Sequence, residues 1–322
     1  MAIRKIAKTY LVTGGAGFIG SHLVDRLIKD SDRVVVIDDF SNGSWDNLVQ
    51  HKGNKKFIVY RKSICDDLSK IFRKHHFDAV FHLAALPRVQ FSIAHPRETN
   101  ETNINGTLNL LLAARDHGVK RFIFSSSSSV YGNQTNLPFI EAMEPSPISP
   151  YALQKLVGEH YCRLFNMLYG LEAISLRYFN VFGPRQNPEG AYSGHIPKFM
   201  KAYCLGGRPT INGDGEQTRD TTNVHDVVEA NVRAMKTKNK AAFGLAFNVG
   251  AGKNYSVNEV TKKIVKLAGS LLWPHHGPAV IEPRNTRANT HLALKMLGWK
   301  PTTKLDIGLT EMWAYFSKKY KK

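Results

Sequence analysis

The sequence predicts an α/β protein, a doubly wound parallel sheet followed by a smaller C-terminal α/β lobe. Three observations predict it. In the first half, short β-branched runs alternate with longer amphipathic stretches, the order that builds β-α-β units. The runs are apolar on both faces, as strands buried between two helical layers must be. A glycine-rich turn, Gly14-Gly15-Ala16-Gly17-Phe18-Ile19-Gly20, follows the first run and opens the first amphipathic stretch.

Strands are expected at Thr9–Thr13, 33–37, 57–60, Ala79–His82 and 121–124, with helices at 17–29, 66–74, 98–117 and 149–168. Ser149 followed by Pro150 is a good helix start, because Ser caps the first free N–H groups and Pro needs none. The texture changes near residue 180. The stretch 180–194 is rich in Pro, Gly, Asn and Arg, and 206–222 is loop-like around a strand at Thr210–Asn212. Helices at 225–235, 256–268, 289–297 and 307–315 and a strand at 245–249 fill the rest. This divides the chain into a sheet domain, 1–180, and a second lobe, 181–322, with parts of 225–249 returning to the sheet.

Composition narrows the function classes. At 322 residues and 43% hydrophobic content the chain is too apolar for disorder and long enough for a sizeable core. No apolar run approaches the ~18 residues of a membrane span, and the N-terminal residues lack a signal-peptide pattern. Three scattered cysteines, Cys65, Cys162 and Cys204, form no CxxC pair, which argues against a disulfide framework or a zinc site. His75-His76 and His275-His276 lack further ligands at zinc spacing, so no metal is expected. These features predict a soluble, cytoplasmic protein. The net charge of +18 is the anomaly. The basic residues are dispersed along the chain, so a generally basic surface is expected, with neither a nucleic-acid nor a membrane partner.

Glycines at 14, 17 and 20 permit a tight turn, the close approach of a pyrophosphate, and helix-on-strand packing. Asp38, eighteen residues past Gly20, ends the second expected strand. A carboxylate there accepts hydrogen bonds from an adenosine ribose and repels a 2′-phosphate, so NAD is expected rather than NADP. Tyr151 and Lys155 lie four apart at the start of a helix, hence on one face. A free phenol, with a pKa of about 10, is a poor base at neutral pH. A neighbouring ammonium, together with the positive nicotinamide ring, is expected to favour the phenolate and bring Tyr151 toward the working range.

The glycine turn, Asp38, His82-Leu83-Ala84-Ala85, the segment 125–132, the Tyr151/Lys155 pair and Arg177-Tyr178-Phe179-Asn180 together resemble the extended short-chain dehydrogenase/reductases, which carry a Rossmann domain. Within that group the chain is most similar to the UDP-hexose 4-epimerases, and 187–228 resembles the branch acting on UDP-N-acetylglucosamine. The resemblance implies Ser127, Tyr151 and Lys155 as catalytic residues. It implies NAD contacts from Gly14, Gly17, Phe18, Ile19, Gly20, Asp38, Asn42, Ser63, Ile64, Leu83, Ala84, Ala85, Ser125, Tyr151, Lys155 and Tyr178. For the UDP-sugar it implies Ser127, Asn180, Gly194, His195, Phe199, Thr210, Asn212 and Arg219. Counting back from Leu297-Gly298-Trp299 adds Arg284 as a second phosphate-binding arginine, with Arg287 its rival, and Thr286 on the sugar wall. A homodimer through the helices at 98–117 and 149–168 is also implied. Two departures stand out. Lys62-Ser63-Ile64 replaces the Gly-Asp-Ile whose Asp meets the adenine, and Phe199 stands where Trp or Tyr is common.

The same fold hosts dehydratases, decarboxylases and epimerases, so the site must decide. Relatives that dehydrate carry Asp-Glu directly after the catalytic Thr, and decarboxylases a Glu at the second position. This chain has Ser128 and Ser129, which cannot do that proton work. Oxidation at C4, rotation of the 4-keto sugar and re-reduction remain, which is 4-epimerisation of a UDP-hexose. Two alternatives stay open: a UDP-glucuronate 4-epimerase, and a non-enzymatic NAD-, nucleotide- or RNA-binding protein of this fold.

Overall fold

The computed structural model describes residues 8–31, 33–87, 89–189, 194–279 and 284–321. Seven strands form one parallel sheet: β1 (Thr9–Thr13), β2 (Arg33–Asp38), β3 (Phe57–Arg61), β4 (Ala79–His82), β5 (Arg121–Ser127), β6 (Glu172–Tyr178) and, later in the chain, β11 (Ala246–Val249). Their order is β11-β6-β5-β4-β1-β2-β3. The order reverses between β1 and β4, so a crevice opens above their carboxyl ends, where ligands of such sheets bind.

Helices cover both faces. On one side lie α1 (Phe18–Asp30), α8 (Val224–Lys236) and α10 (His291–Leu297), packing Leu23, Leu27, Val227 and Leu297 against Tyr10, Val12 and Val36. On the other lie α2 (Ser69–His75), α5 (Gly106–Asp116) and α6 (Pro150–Tyr169), packing Phe72, Leu110 and Phe165 against Leu11 and Val35. Alternate residues of β1 thus enter opposite cores, which is why its run is apolar throughout. A third cluster fills the C-terminal lobe. There α7 (His195–Cys204), α9 (Val257–Ala268) and α11 (Leu305–Tyr320) bury Met200, Ile264 and Met312.

Several expectations need adjusting. The sequence reading has no strand at β6, although it is paired on both sides, with β5 and β11. Its apolar run is interrupted by buried Ser175 and Arg177, and Arg177 is tolerated only because Glu159 neutralises it. The expected helix 98–117 is Pro96–Asn100, which carries α4, a π-helical turn at Glu101–Asn105, and then α5. The short helix α3 (Val89–Ala94) precedes it. Helix α2 begins at Ser69, not residue 66, because Asp67 accepts the Ser69 N–H as a turn residue. At α6 the Ser149 hydroxyl accepts the Ala152 N–H at 3.2 Å, and Gly170 ends the helix in the left-handed region.

The second lobe is joined by short pairings. Strand β7 (Val181–Phe182) pairs with β10 (Thr222–Asn223), β8 (Thr210–Asn212) with β13 (His275–Gly277), and β9 (Thr218–Asp220) with β12 (Asn254–Ser256). Both α8 and β11 lie on or in the large sheet. Among the described residues, no helix is long and apolar enough to cross a membrane.

Candidate active site

The crevice at the switch between β1 and β4 is a cleft of about 1280 Å³, continuous in its lining with a second hollow of about 710 Å³. A typical single-ligand pocket has ~300–1,000 Å³, so the space suits two ligands end to end.

The glycine turn builds one end. Gly14 has φ +69°, and a Cβ there would come within 2.7 Å of the Ala84 nitrogen; a Cβ on Gly20 would come within 2.1 Å of the Gly14 oxygen. Only bare backbone lets α1 start so close to β1, leaving its positive N-terminal end open to the cleft. Asp38 is held at the end of β2, its two oxygens accepting the Ala16 and Phe40 N–H groups at 2.8 Å each. Burial pushes its carboxyl up from the ordinary range. Gly14, Gly17, Phe18, Ile19, Gly20, Asp38, Asn42, Ile64, Leu83, Ala84, Ala85, Ser125 and Tyr178 all line the cleft. Ser63 does not; its hydroxyl accepts the Cys65 N–H, and Lys62 lines the wall beside it. Turn, carboxylate and open helix end fit a dinucleotide.

The chemistry-bearing residues meet between β5 and α6. Tyr151 is buried, and Ser127 stands beside its phenol on the same cleft wall. The Lys155 ammonium donates to the Ser125 carbonyl at 2.7 Å, and the Ser125 hydroxyl contacts the Tyr178 hydroxyl at 3.0 Å. Burial pushes Tyr151 up to about 12, against the pull of Ser127, and pushes Lys155 down to about 8. In the protein alone the ammonium does not offset burial at the phenol; the other half of the expectation, the nicotinamide charge, acts only with the cofactor bound. The Lys155 nitrogen lies 5.8 Å from the Tyr151 ring and is bound to a carbonyl, so desolvation prevails.

Beneath them lies a polar network the sequence reading missed. Glu159, one turn beyond Lys155 on α6, accepts from Arg177 at 2.9 and 2.7 Å and from the Ser126 hydroxyl at 2.5 Å. Arg177 also donates to the Tyr131 hydroxyl at 2.8 Å, which donates to Asn248 at 2.7 Å. The strand end carrying Ser127 is thereby tied to the helix carrying Tyr151. The spacing of four from Lys155 to Glu159 is the only signal the sequence offers.

On the substrate side, Asn180 donates to the Thr286 hydroxyl at 3.3 Å, and both line the cleft. Arg219 is buried; its guanidinium donates to the Thr218 and Arg284 carbonyls at 2.9 and 3.2 Å while lining both hollows. Gly194 and Asn212 also border both, whereas His195, Phe199 and Thr210 line the second. Burial, then Arg219, pushes His195 down to about 4, so its ring is neutral, and its buried Nε2 has no partner among the described residues.

Arg284 departs from its expected role. Its guanidinium donates to both oxygens of Asp214, at 3.0 and 2.8 Å, on the outer surface, and it does not line the cleft. A bidentate carboxylate partner in the adjacent turn satisfies it there, so only its carbonyl reaches Arg219. Arg287, its rival, buries an Nε without a partner among the described residues, and it also stands outside the two linings.

Asp220, another residue the sequence reading passed over, organises this loop cluster. Its carboxylate accepts the Ala251, Gly252 and Ala288 N–H groups at 2.6, 3.0 and 2.9 Å, and its own N–H donates to Thr286.

The NAD dependent epimerase/dehydratase family matches residues 10–250. The UDP-glucose 4-epimerase of Mycolicibacterium smegmatis is 38% identical over 312 residues, covering 96% of this chain and 98% of its own length. The UDP-glucose 4-epimerase of Thermotoga maritima, solved with UDP-glucose, is 39% identical with a TM-score of 0.91, covering 97% of this chain and 99% of its own. The UDP-N-acetylglucosamine 4-epimerase of Methanobrevibacter ruminantium, solved with UDP-N-acetylmuramic acid, is 37% identical with a TM-score of 0.92 and the same coverage.

Proposed function

The chain belongs to the NAD dependent epimerase/dehydratase family, and on that premise we propose that it interconverts the two C4 epimers of a UDP-hexose. The observation that carries this reading is Ser127 beside the buried Tyr151 phenol, with Lys155 one turn on, in a cleft where Ser128 and Ser129 offer only hydroxyls. A carboxylate pair for dehydration, or a lone Glu for decarboxylation, is absent from those positions. NAD, when bound, accepts a hydride from C4 and returns it.

The chain's own residues do the rest. Tyr151 takes the proton of the 4-hydroxyl and later gives it back, and Ser127 orients that hydroxyl. Lys155 holds the nicotinamide-side ribose. Asn180 and Arg219 hold the diphosphate, and His195 and Phe199 the uracil. The sugar turns about its bond to a fixed UDP, so binding energy is concentrated away from the reacting carbon. Thr286 is a small wall residue, which supports acceptance of a 2-acetamido group as well as a 2-hydroxyl. Asp38 supports NAD over NADP.

A homodimer is part of the proposal. On α6, Leu164, Met167 and Leu168 are exposed. Leu110 and Leu111 of α5 and Phe165 of α6 are buried in the chain's own core. The three free cysteines and the absence of a spanning helix among the described residues support a cytoplasmic setting.

The test is direct. Purified protein is incubated separately with UDP-glucose, UDP-N-acetylglucosamine and UDP-glucuronate, and denatured protein is assayed for released nicotinamide cofactor. The expected outcome is C4 inversion of the first two and release of NAD. Turnover of UDP-glucuronate alone would replace the hexose reading; no turnover of any of them, with no NAD bound, would end it.

A further inference from the structure

We infer that the end of the C-terminal lobe where α7, α9 and α11 finish is a docking surface for an anionic lipid membrane. The argument starts from the charge of +18, which the catalytic reading leaves unused. Along the chain the basic residues look scattered, but three segments, 190–213, 260–281 and 312–322, contain no Asp or Glu. Folding brings parts of all three together. The last turns of α7, α9 and α11 carry Lys201, Lys266 and the Lys318-Lys319 pair. Cys204 and Ser317 meet at 3.9 Å, and the Tyr203 hydroxyl donates to the Leu272 carbonyl at 3.0 Å. Arg208 Nε donates to the Trp273 carbonyl, and the Lys321 nitrogen lies 4.8 Å from the Trp313 ring. Among the described residues, Glu189 reaches in to pair with Lys201, and Asp306 at the start of α11 pairs with Lys263 on α9.

Apolar side chains stand in the middle of this cationic end. Leu271 is 101% exposed, Leu205 60%, Leu272 47% and Trp273 38%. Lysines in last turns offset the helix dipoles, which accounts for part of the charge. It does not account for Arg208, nor for three leucines and a tryptophan left exposed beside it. Nucleic acid is a poorer match, because this loop offers one aromatic ring and aliphatic tips in place of a stacking platform. Leu and Trp in the interfacial layer, with Lys and Arg at the headgroups, are the chemistry of peripheral membrane binding. The first turn of α7 lines the substrate hollow through His195 and Phe199. Ala202 and Pro209 line that hollow as well, so the proposed docking surface lies next to the substrate side.

The experiment uses the full chain and does not depend on the catalytic assignment. Sedimentation with vesicles of equimolar phosphatidylglycerol and phosphatidylcholine is compared with phosphatidylcholine alone. Binding is expected to the anionic vesicles only and to weaken as salt rises. Each surface lysine contributes about fivefold to partitioning, so the triple variant Lys318→Glu, Lys319→Glu, Lys321→Glu is expected to lose about 100-fold or more. The double variant Leu271→Ser, Trp273→Ser is expected to lose at least about tenfold while its catalytic rate and thermal midpoint stay unchanged. Failure to bind anionic vesicles overturns the inference, as does equal binding to phosphatidylcholine. So does vesicle binding that both variants retain in full. Binding of a DNA or RNA duplex without any vesicle binding would assign the surface to nucleic acid instead.

Discussion

In the cofactor half, Gly14, Gly17 and Gly20 share one turn, Asp38 ends the neighbouring strand, and Tyr151 and Lys155 share one helical turn. On the substrate side, Asn180, Arg219 and Thr286 come from three segments, and Asp220 pins the turn at Ala251 and Gly252 to the segment of Thr286 and Ala288. The first half carries its ligand groups on regular elements of a buried sheet. The second carries them on loops fastened by two- and three-residue pairings. Spacing along the chain is therefore a measure of geometry in the first half and a poor one in the second.

The largest expected effect breaks the rigid side of that comparison. Tyr151→Phe is expected to lower turnover about 10²–10⁴-fold while leaving bound NAD and UDP affinity unchanged, as measured by rate, cofactor content and calorimetry. More than about a tenth of the wild-type rate would remove Tyr151 from the role of base.

The next prediction concerns the loop clasp. Burial raises Asp220 from 3.8 to about 6 in the folded chain. Such a group favours the folded state fully below its unfolded pKa, and that contribution, about 3 kcal/mol, is lost as pH rises through about 6. Between pH 7 and 5, wild type is expected to gain about 1 kcal/mol over Asp220→Asn, measured by denaturant unfolding at each pH. An unchanged difference would mean that burial does not dominate at Asp220.

Arg219→Ala sharpens the comparison on the substrate side. Losing a charged donor of this kind is expected to weaken UDP-sugar binding about 10–100-fold with a smaller effect on the rate, read as KM against kcat. The smallest effect is expected at Arg284. Its exposed pair with Asp214 contributes little, so Arg284→Ala is expected to leave KM within about twofold. A large rise in KM would restore Arg284 to the phosphate site.

How far the site could be read from the chain follows the same division. The glycine turn, Asp38 and the Tyr151/Lys155 pair were legible because each is a short-range pattern whose geometry its own element enforces. Arg284 was misplaced because counting back from Trp299 assumes a regular rise through a loop, and in that loop Asp214 captures the side chain. Glu159 and Arg177 were missed because a buried charge in a helix or strand looks like an exposed one until its partner is known. Strand β6 went unseen for the same reason.

The sequence by itself determined the order of elements, the doubly wound sheet, the turn that can receive a pyrophosphate and the Tyr-Lys pair. These depend on contacts within a turn, a strand or one helical turn, whose periodicity is written in adjacent residues. Only the tertiary structure decided that Ser126 anchors Ser127 to α6, that Asp220 ties three loops, and that burial outweighs Lys155 at the Tyr151 phenol. Only folding, too, gathers cations from segments tens of residues apart around Leu271 and Trp273. Desolvation and long-range pairing depend on what lies across space, and no local pattern encodes that distance.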